Sequence, residues 1–188
     1  MRHNEKFHEN RLIAKAKSGD MQAFESLVRR YQRSIYYLCH RMTGTHQSAD
    51  DLSQDTFIKA YFSLASFKNR MNFFTWIRKI AVNMSLNFLK TNKREELLGE
   101  KENMIAENAS STAHELPQDR FQRNQLEQKF KEALNALPTD QKIIFILRFY
   151  ENQSYKEISQ ILNLPNGTVM SRLNRARKKI KDLMADYL

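Results

Sequence analysis

Cationic and small polar side chains recur on one side of the last helical pattern in the sequence, where they could bind nucleic acid. The apolar positions of this pattern, Val169, Leu173, Ala176 and Ile180, have the spacing of one helix face. The remaining positions carry side chains that donate to phosphates or to base edges: Ser171, Arg172, Asn174, Arg175, Arg177 and Lys178. Guanidinium, ammonium and amide groups of this kind bind DNA backbones and read bases in the major groove.

A shorter helical pattern precedes this one, and the two are separated by a tight break. Residues 154–162 place Tyr155, Ile158, Ile161 and Leu162 on one face, residues 163–167 interrupt the pattern, and Thr168 is predicted to begin the second helix. Helix-turn-helix units place their second helix in the major groove. The sequence therefore predicts that this end of the chain reads duplex DNA.

Three polar side chains share a face of a helix predicted much earlier in the chain. Asp51, Gln54 and Asp55 align with Ile58, opposite the apolar face of that helix. Clustered carboxylates could serve catalysis or metal binding, but no histidine, cysteine or further acid converges from nearby sequence. Two interpretations of this helix face are left: it is either a solvated surface or a docking surface for a basic partner.

Aromatic and cationic residues alternate between residues 67 and 83. Such mixtures bind single-stranded nucleic acid through stacking platforms and backbone charges. Aromatic side chains at helical spacing are usually core residues, so packing is the alternative role for Phe73 and Trp76. The loop of residues 68–71, together with Lys79 and Asn83 on the outer helix face, is the better candidate for nucleic-acid contact.

Charge is segregated along the chain. The net charge is +10 and the isoelectric point about 9.7, which is typical of a nucleic-acid-binding protein. Residues 68–94 contain seven lysines and arginines and no acid, whereas residues 95–119 contain seven acids and a single lysine. The acidic segment has no aromatic residue, so it is predicted to be a flexible tether.

Other protein classes find little support. The single cysteine, Cys39, excludes a disulfide framework, and neither it nor the scattered histidines have metal-ligand spacing, so we expect no metal and no cofactor. No nucleophile–base arrangement suggests an enzyme. No apolar run approaches the length of a membrane span, and we expect no membrane insertion and a cytoplasmic protein.

Helical periodicity accounts for all of the predicted elements. A leading helix covers residues 12–17, a long one runs from the N-cap Asp20 to Gly44, a third is capped by Ser48, and a fourth covers residues 72–91. The predicted fold is all-α, with two small helical domains (residues 10–95 and 120–188) joined by the acidic flexible linker of residues 96–119. The C-terminal domain is the helix-turn-helix.

The motifs, in this order, resemble those of bacterial RNA polymerase sigma factors of the extracytoplasmic function (ECF) type. Residues 51–57 (DLSQDTF) resemble the acidic-Gln-Phe signature, and residues 74–83 (FTWIRKIAVN) resemble the promoter-melting helix. Residues 155–158 (YKEI) and 166–173 (NGTVMSRL), after Leu137 and Pro138, resemble the C-terminal helix-turn-helix. The resemblance covers about residues 10–95 and 120–185.

The resemblance implies a function and partners. Asp51, Gln54 and Asp55 would bind the coiled coil of the polymerase beta-prime subunit, and the beta flap of the polymerase would be a further partner. The minus-ten promoter element would be recognised and melted by Lys68, Asn69, Arg70, Trp76, Lys79 and Asn83. The minus-thirty-five element would be read by Thr168, Met170, Ser171, Arg172, Asn174, Arg175 and Lys178. Met170 replaces a cation common in relatives, so its contact would be apolar, such as a thymine methyl group, or absent.

The same resemblance implies no catalytic residue, because the polymerase performs the chemistry. The linker would thread the polymerase channel later used by RNA. An anti-sigma factor would be a further partner and could hold the protein at the membrane until an envelope or environmental signal releases it. A dimeric helix-turn-helix repressor or activator is the alternative function, although the first domain shows neither an effector-pocket pattern nor a heptad seam.

Overall fold

The computed structural model describes residues 2–68, 72–97 and 117–187, and within these ranges all regular secondary structure is helical. The chain divides into two compact units, Met1–Ala106 and Glu107–Leu188. The all-α fold class predicted from the sequence is therefore confirmed. Most of the predicted acidic linker, residues 96–119, lies outside the described residues, and its role as a tether stays a prediction.

The described residues of unit 1 form four helices, α1 (Arg2–Lys17), α2 (Met21–Thr43), α3 (His46–Ser63) and α4 (Phe73–Leu97), with a short 3-10 turn at Leu64–Ser66. Helix α2 packs against α1, α3 and α4, and α3 packs against α4. Their shared core includes Leu27, Ile35, Leu38, Met42 and Ile77, all fully buried. Helix α1 is longer than the predicted residues 12–17, because its first turns are polar and show no apolar period.

The ends of α2 are those that the sequence predicted. The Asp20 carboxylate accepts a hydrogen bond from the backbone N–H of Ala23 at 3.0 Å, and Gly44 ends the helix with φ of 88°. Only glycine adopts this left-handed conformation without cost, so the turn between α2 and α3 depends on it.

The predicted cap of α3 was wrong. Thr45, not Ser48, is the N-cap, and its hydroxyl oxygen accepts from the backbone N–H of Ser48 at 3.3 Å. The extended backbone that leaves Gly44 reaches the N-cap conformation at Thr45, so Ser48 already belongs to the first turn of α3. Two small hydroxyl residues three positions apart give equally good capping signals in sequence, and only the geometry of the turn chooses between them.

Unit 2 contains α5 (Pro117–Asn135), α6 (Thr139–Phe149), α7 (Tyr155–Leu162) and α8 (Asn166–Leu183), followed by a 3-10 turn at Ala185–Tyr187. An apolar run after Pro138 forms the buried centre of this unit: Ile143, Ile144, Phe145, Ile146 and Leu147. Helix α8 packs against α5, α6 and α7, so its buried positions tie the whole unit together.

Helices α7 and α8 form the predicted helix-turn-helix. A reciprocal capping box begins α7, in which Ser154 accepts from the N–H of Glu157 and the Glu157 carboxylate accepts from the N–H of Ser154. Asn163 ends α7 in the left-handed conformation, with φ of 54°. The predicted start of α8 at Thr168 was wrong: the helix begins at Asn166, because Pro165 has a backbone suited to the position before a helix and Gly167 continues the turn.

Candidate nucleic-acid and partner-binding surfaces

The three polar side chains predicted to share a face of α3 do so. Asp51, Gln54 and Asp55 are all exposed, while Leu52 and Phe57 of the same helix are buried. The capping of α3 at Thr45 and its packing on α2 and α4 set this orientation. The structure therefore presents two carboxylates and one amide to solvent along one side of the helix.

Two large apolar side chains extend this face. Ile58 is 55% exposed and Phe62 is 79% exposed, and they follow Asp51 and Asp55 at helical spacing. We call the side chains of Asp51, Gln54, Asp55, Ile58 and Phe62 the α3 stripe. Sequence analysis had not included Phe62, although the step of four residues from Ile58 was the available signal. An acidic and apolar stripe suits a partner helix that is both basic and amphipathic.

The aromatic side chains near the start of α4 pack against one another. The ring centroid of Trp76 lies 5.1 Å from that of Phe67 and 5.5 Å from that of Phe73. Phe67 and Phe73 are buried, whereas Trp76 is half-buried. The packing role considered for Phe73 is therefore the observed one, and Trp76 lies at the rim of this aromatic cluster with part of its indole accessible.

The chain that enters the predicted nucleic-acid loop is anchored to α1. The ammonium group of Lys17 donates a hydrogen bond to the carbonyl oxygen of Phe67 and lies 5.4 Å from the centroid of its ring. Lys68, the next residue, is exposed. The predicted contacts Asn69 and Arg70 lie outside the described residues. The Asn72 side chain then accepts from the N–H of Phe74 at 2.7 Å, at the start of α4.

One of the cations in the acid-free segment belongs to the core. Arg78 is 5% exposed, and its guanidinium carbon lies 4.2 Å from the centroid of the Phe74 ring. Tyr31 of α2 stacks on the same Phe74 ring at 4.9 Å and donates a hydrogen bond to the Glu9 carboxylate of α1. Burial, with Glu9 as a second cause, raises the pKa of Tyr31.

The remaining predicted contacts of α4 lie further along the helix. Lys79 is half-buried and Asn83 is exposed. Together with Lys68 and the rim of Trp76, they form the described part of the candidate single-strand surface of unit 1. This surface combines polar groups with core packing, because buried side chains such as Phe67 and Arg78 directly adjoin Lys68 and Lys79.

The polar side of α8 is more exposed to solvent than the candidate surface on α4. Met170, Ser171, Asn174, Arg175 and Lys178 are exposed, while Val169, Leu173, Ala176 and Ile180 are buried as the sequence predicted. Thr168 is half-buried, and its carbonyl oxygen accepts from the Ser171 hydroxyl at 3.0 Å. This face is therefore separate from the residues that pack the helix.

Arg172 differs from the other cations of α8. It is half-buried, and its Nη1 lies 3.0 Å from Oδ2 of Asp140 in the first turn of α6. Sequence analysis missed Asp140, because nothing in the sequence places residues 140 and 172 next to each other. Its only signal was the usual preference for an acid near a helix N-terminus.

The described residues contain no group of three or more histidine, cysteine or acidic side chains arranged to hold a metal ion. Of the helices whose residues could be searched, none is long and apolar enough to cross a membrane.

Comparison with sequence families gives two matches that cover most of each unit. Residues 27–95 match Sigma-70 region 2, and residues 127–180 match Sigma-70 region 4. The first range contains the α3 stripe and most of α4, and the second contains α7 and most of α8.

Comparison with individual proteins gives similar results. The chain is 34% identical to the ECF RNA polymerase sigma-E factor of Haemophilus influenzae, over 95% of this chain and 96% of that protein. It is 30% identical to the ECF RNA polymerase sigma factor SigW of Bacillus subtilis, over 93% and 95%. Among solved structures, the sigma factor RpoE of Bartonella quintana, in complex with the anti-sigma factor NepR, has a TM-score of 0.68 at 26% identity, covering 89% of this chain and all of that one.

Proposed function

Because the chain belongs to the ECF sigma factors, which bind RNA polymerase and promoter DNA to direct transcription initiation, we propose a division of that work between its two units. Unit 1 binds the polymerase through α3 and opens the minus-ten element through α4 and the loop before it. Unit 2 reads the minus-thirty-five element through α8. With the family assigned, the alternative of a dimeric repressor or activator is no longer needed. No residue is assigned a catalytic role.

The α3 stripe is the observation that carries the polymerase-binding proposal. Exposed apolar side chains as large as Ile58 and Phe62 mark interaction sites when they cluster. Here they continue a row of carboxylates, which would attract a basic partner and fix its register. The proposed partner is the coiled coil of the beta-prime subunit. Phe62 provides an apolar anchor near one end, and Asp51 and Asp55 provide charge along the rest.

Charge reversal tests this proposal. The double variant Asp51→Arg with Asp55→Arg should fail to co-elute with core polymerase in size exclusion while it keeps a wild-type circular dichroism spectrum, since both side chains are exposed. Phe62→Ala should also weaken co-elution, because it removes the exposed apolar anchor of the α3 stripe. Asp50→Arg is the matched control, because Asp50 is an exposed acid of α3 outside the stripe. Undiminished co-elution of the folded double variant would reject the assignment.

Promoter melting is proposed for the loop before α4 and the outer face of that helix. Extracting a base from duplex DNA costs a few kcal/mol, so the protein must offer a stacking surface as well as charge. The half-buried Trp76 supports the first requirement, and Lys68 and Lys79 support the second, while Asn83 adds an exposed amide that can form hydrogen bonds. Asn69 and Arg70, outside the described residues, are assigned to the same surface on the sequence alone.

The melting proposal predicts a defect confined to strand separation. Asn69→Ala with Arg70→Ala should leave polymerase binding and the minus-thirty-five contact intact, because α3 and unit 2 are unchanged. A template that already contains a melted bubble should restore much of the lost transcription. Permanganate footprinting measures unpaired thymines directly, and normal thymine reactivity on duplex promoter DNA would reject the loop as the melting element.

The beta flap and an anti-sigma factor are proposed as further partners. The RpoE relative was solved in complex with an anti-sigma factor, which supports the second. An anti-sigma factor anchored in the membrane would hold this chain there, and a signal would release it. Affinity capture of the tagged chain from separated membrane and soluble fractions tests whether an anti-sigma factor binds the chain and whether it holds the chain at the membrane. Recovery of the chain with core polymerase alone, under every stress applied, would count against an anti-sigma partner.

A further inference from the structure

The ion pair between α6 and α8 involves one of the cations predicted to touch DNA. Nη1 of Arg172 lies 3.0 Å from Oδ2 of Asp140, and the Arg172 side chain is 32% exposed. Arg175 and Lys178 of the same helix are exposed. A guanidinium bound to a carboxylate in this way has part of its donor fork occupied before any phosphate or base arrives.

Arg172 lies at the edge of the polar side of α8, between the buried stripe and the side chains assigned to DNA. It directly precedes the buried Leu173 and lies one turn from the buried Val169 and Ala176. Arg172 therefore flanks the stripe through which α8 packs on α6. Ser171 and Lys178 lie on the side of the helix away from that stripe.

The pair contributes to orientation more than to stability. Asp140 is 54% exposed, and ion pairs that remain in contact with water stabilise a fold only slightly. Its carboxylate is favoured where it stands, because the first turn of a helix attracts negative charge. Arginine binds a carboxylate in a defined geometry through its planar fork. The contact therefore adds a directional constraint to the apolar packing of α8 on α6, at the level of the recognition residues.

We infer that Asp140 and Arg172 are positioning residues for promoter recognition: they brace α8 against α6, so that Asn174, Arg175 and Lys178 meet the groove in one register. Arg172 acts through Asp140 and does not read DNA itself. This inference rests on the proposed role of α8 in reading the minus-thirty-five element. A binding site needs its contacting side chains held by a second set of residues, and this pair has that function here.

Asp140→Asn gives opposite results under the two roles of Arg172. We compare the affinity of reconstituted holoenzyme for a promoter fragment and for the same fragment with a scrambled minus-thirty-five element. If the pair braces α8, the preference for the promoter falls by about two- to fivefold, the most that an ion pair in contact with water can contribute. If Arg172 reads DNA, loss of the competing carboxylate raises promoter affinity and the preference is kept or increased, which would overturn the inference.

An exchange of the two charges provides the second test. Arg172→Asp should lower the promoter preference, and the combination of Arg172→Asp with Asp140→Arg should recover most of it, because the pair is re-formed in reverse. A double variant as poor as Arg172→Asp alone would mean that the arginine touches DNA, and would reject the brace. The matched control, Arg175→Asp with Asp140→Arg, should show no recovery, which excludes simple compensation of charge.

One more variant separates failure of the brace from failure of the proposed function. Arg175→Ala removes an exposed cation that the proposal assigns to DNA. If it keeps both the wild-type promoter preference and the wild-type affinity for DNA, the reading role of α8 is wrong and the brace falls with it. If Arg175→Ala loses preference while Asp140→Asn does not, only the brace is overturned. Circular dichroism and co-elution with core polymerase confirm that each variant is folded.

Discussion

The two candidate DNA surfaces of this chain are built in different ways. On α4, Trp76 belongs to an aromatic cluster with the buried Phe67 and Phe73, and Arg78 of the same helix is itself buried. On α8, most of the side chains assigned to DNA are exposed and lie outside the buried stripe, whereas Thr168 and Arg172 are half-buried. The α4 surface includes side chains of the core of unit 1, whereas the α8 surface consists mainly of side chains outside the core of unit 2.

This difference follows from what each surface is proposed to do. A surface that separates strands must offer an unpaired base an apolar, rigid wall in place of its stacking neighbours, and such walls consist of core-type residues. A surface that reads an intact duplex needs only polar groups at fixed positions above a groove. Mutations in the first should therefore disturb folding and function together, whereas mutations in the second should separate them.

Trp76→Ala should have the largest effect and should test the shared character of the α4 surface. We expect a loss of about 2–3 kcal/mol in unfolding free energy, below the roughly 3–5 kcal/mol of a fully buried tryptophan, since Trp76 is half-buried. Transcription from duplex promoters should fall as well. Urea denaturation followed by circular dichroism measures the first, and run-off transcription measures the second. Wild-type stability in this variant would mean that Trp76 does not stabilise unit 1, and would contradict the difference we draw between the α4 and α8 surfaces.

Arg175→Ala tests the other side of the comparison. The cost should be about 1–3 kcal/mol in promoter binding if Arg175 reads a base edge, with unfolding unchanged because the side chain is exposed. If it touches only phosphate, every DNA sequence should be bound more weakly and the salt dependence should flatten. Titration of labelled duplexes at several salt concentrations distinguishes these results. Unchanged affinity and unchanged salt dependence would contradict the assigned orientation of α8.

Ser154→Ala should weaken unit 2 without touching DNA-facing residues of α8. It removes one half of the capping box, which should cost about 1 kcal/mol in unfolding free energy. Glu157→Gln is the matched control, because its amide oxygen can still accept from the N–H of Ser154. Thermal melting of both variants checks the prediction, and equal melting temperatures for wild type and Ser154→Ala would contradict it.

Cys39 should affect stability only at alkaline pH, and not near neutrality. Burial in unit 1 raises the pKa of its thiol from an ordinary value of 9.0 to about 11. Above pH 9 the unfolded chain loses this proton and the folded chain keeps it, so unfolding free energy should fall as pH rises from 9 towards 11. Near neutral pH the thiol is protonated in both the folded and the unfolded chain, so Cys39 adds no pH dependence to the unfolding free energy. The slope should be shallower in Cys39→Ala, as measured by urea titrations at several pH values.

Sequence periodicity was sufficient for the helices and for their solvent-facing sides. The exposure of Asp51, Gln54 and Asp55 followed from it directly, as did the buried stripe of α8. Both features depend on spacing within one helix, and the sequence contains that information. The limits of α8 were less certain, because Asn166 and Gly167 serve equally well in a turn and in the first turn of a helix.

Features that depend on two distant segments could not be predicted. The burial of Arg78 depends on Phe74 and on the packing of α2 against α4. The contact between Asp140 and Arg172 depends on the angle at which α8 crosses α6. In each case tertiary packing sets the contacts of an arginine that belongs to a basic stretch of sequence, so the number of cations in a stretch does not give the number that are exposed.

The place of Trp76 also gives the protein an optical property. It is the only tryptophan in the chain, and its indole is partly accessible at the rim of the aromatic cluster. Indole emission shifts with the polarity of its surroundings and is quenched by stacked bases. The intrinsic fluorescence of the free chain, excited at the red edge of its absorption, therefore reports on unit 1 alone, and titration with single-stranded oligonucleotides can be followed without an added dye.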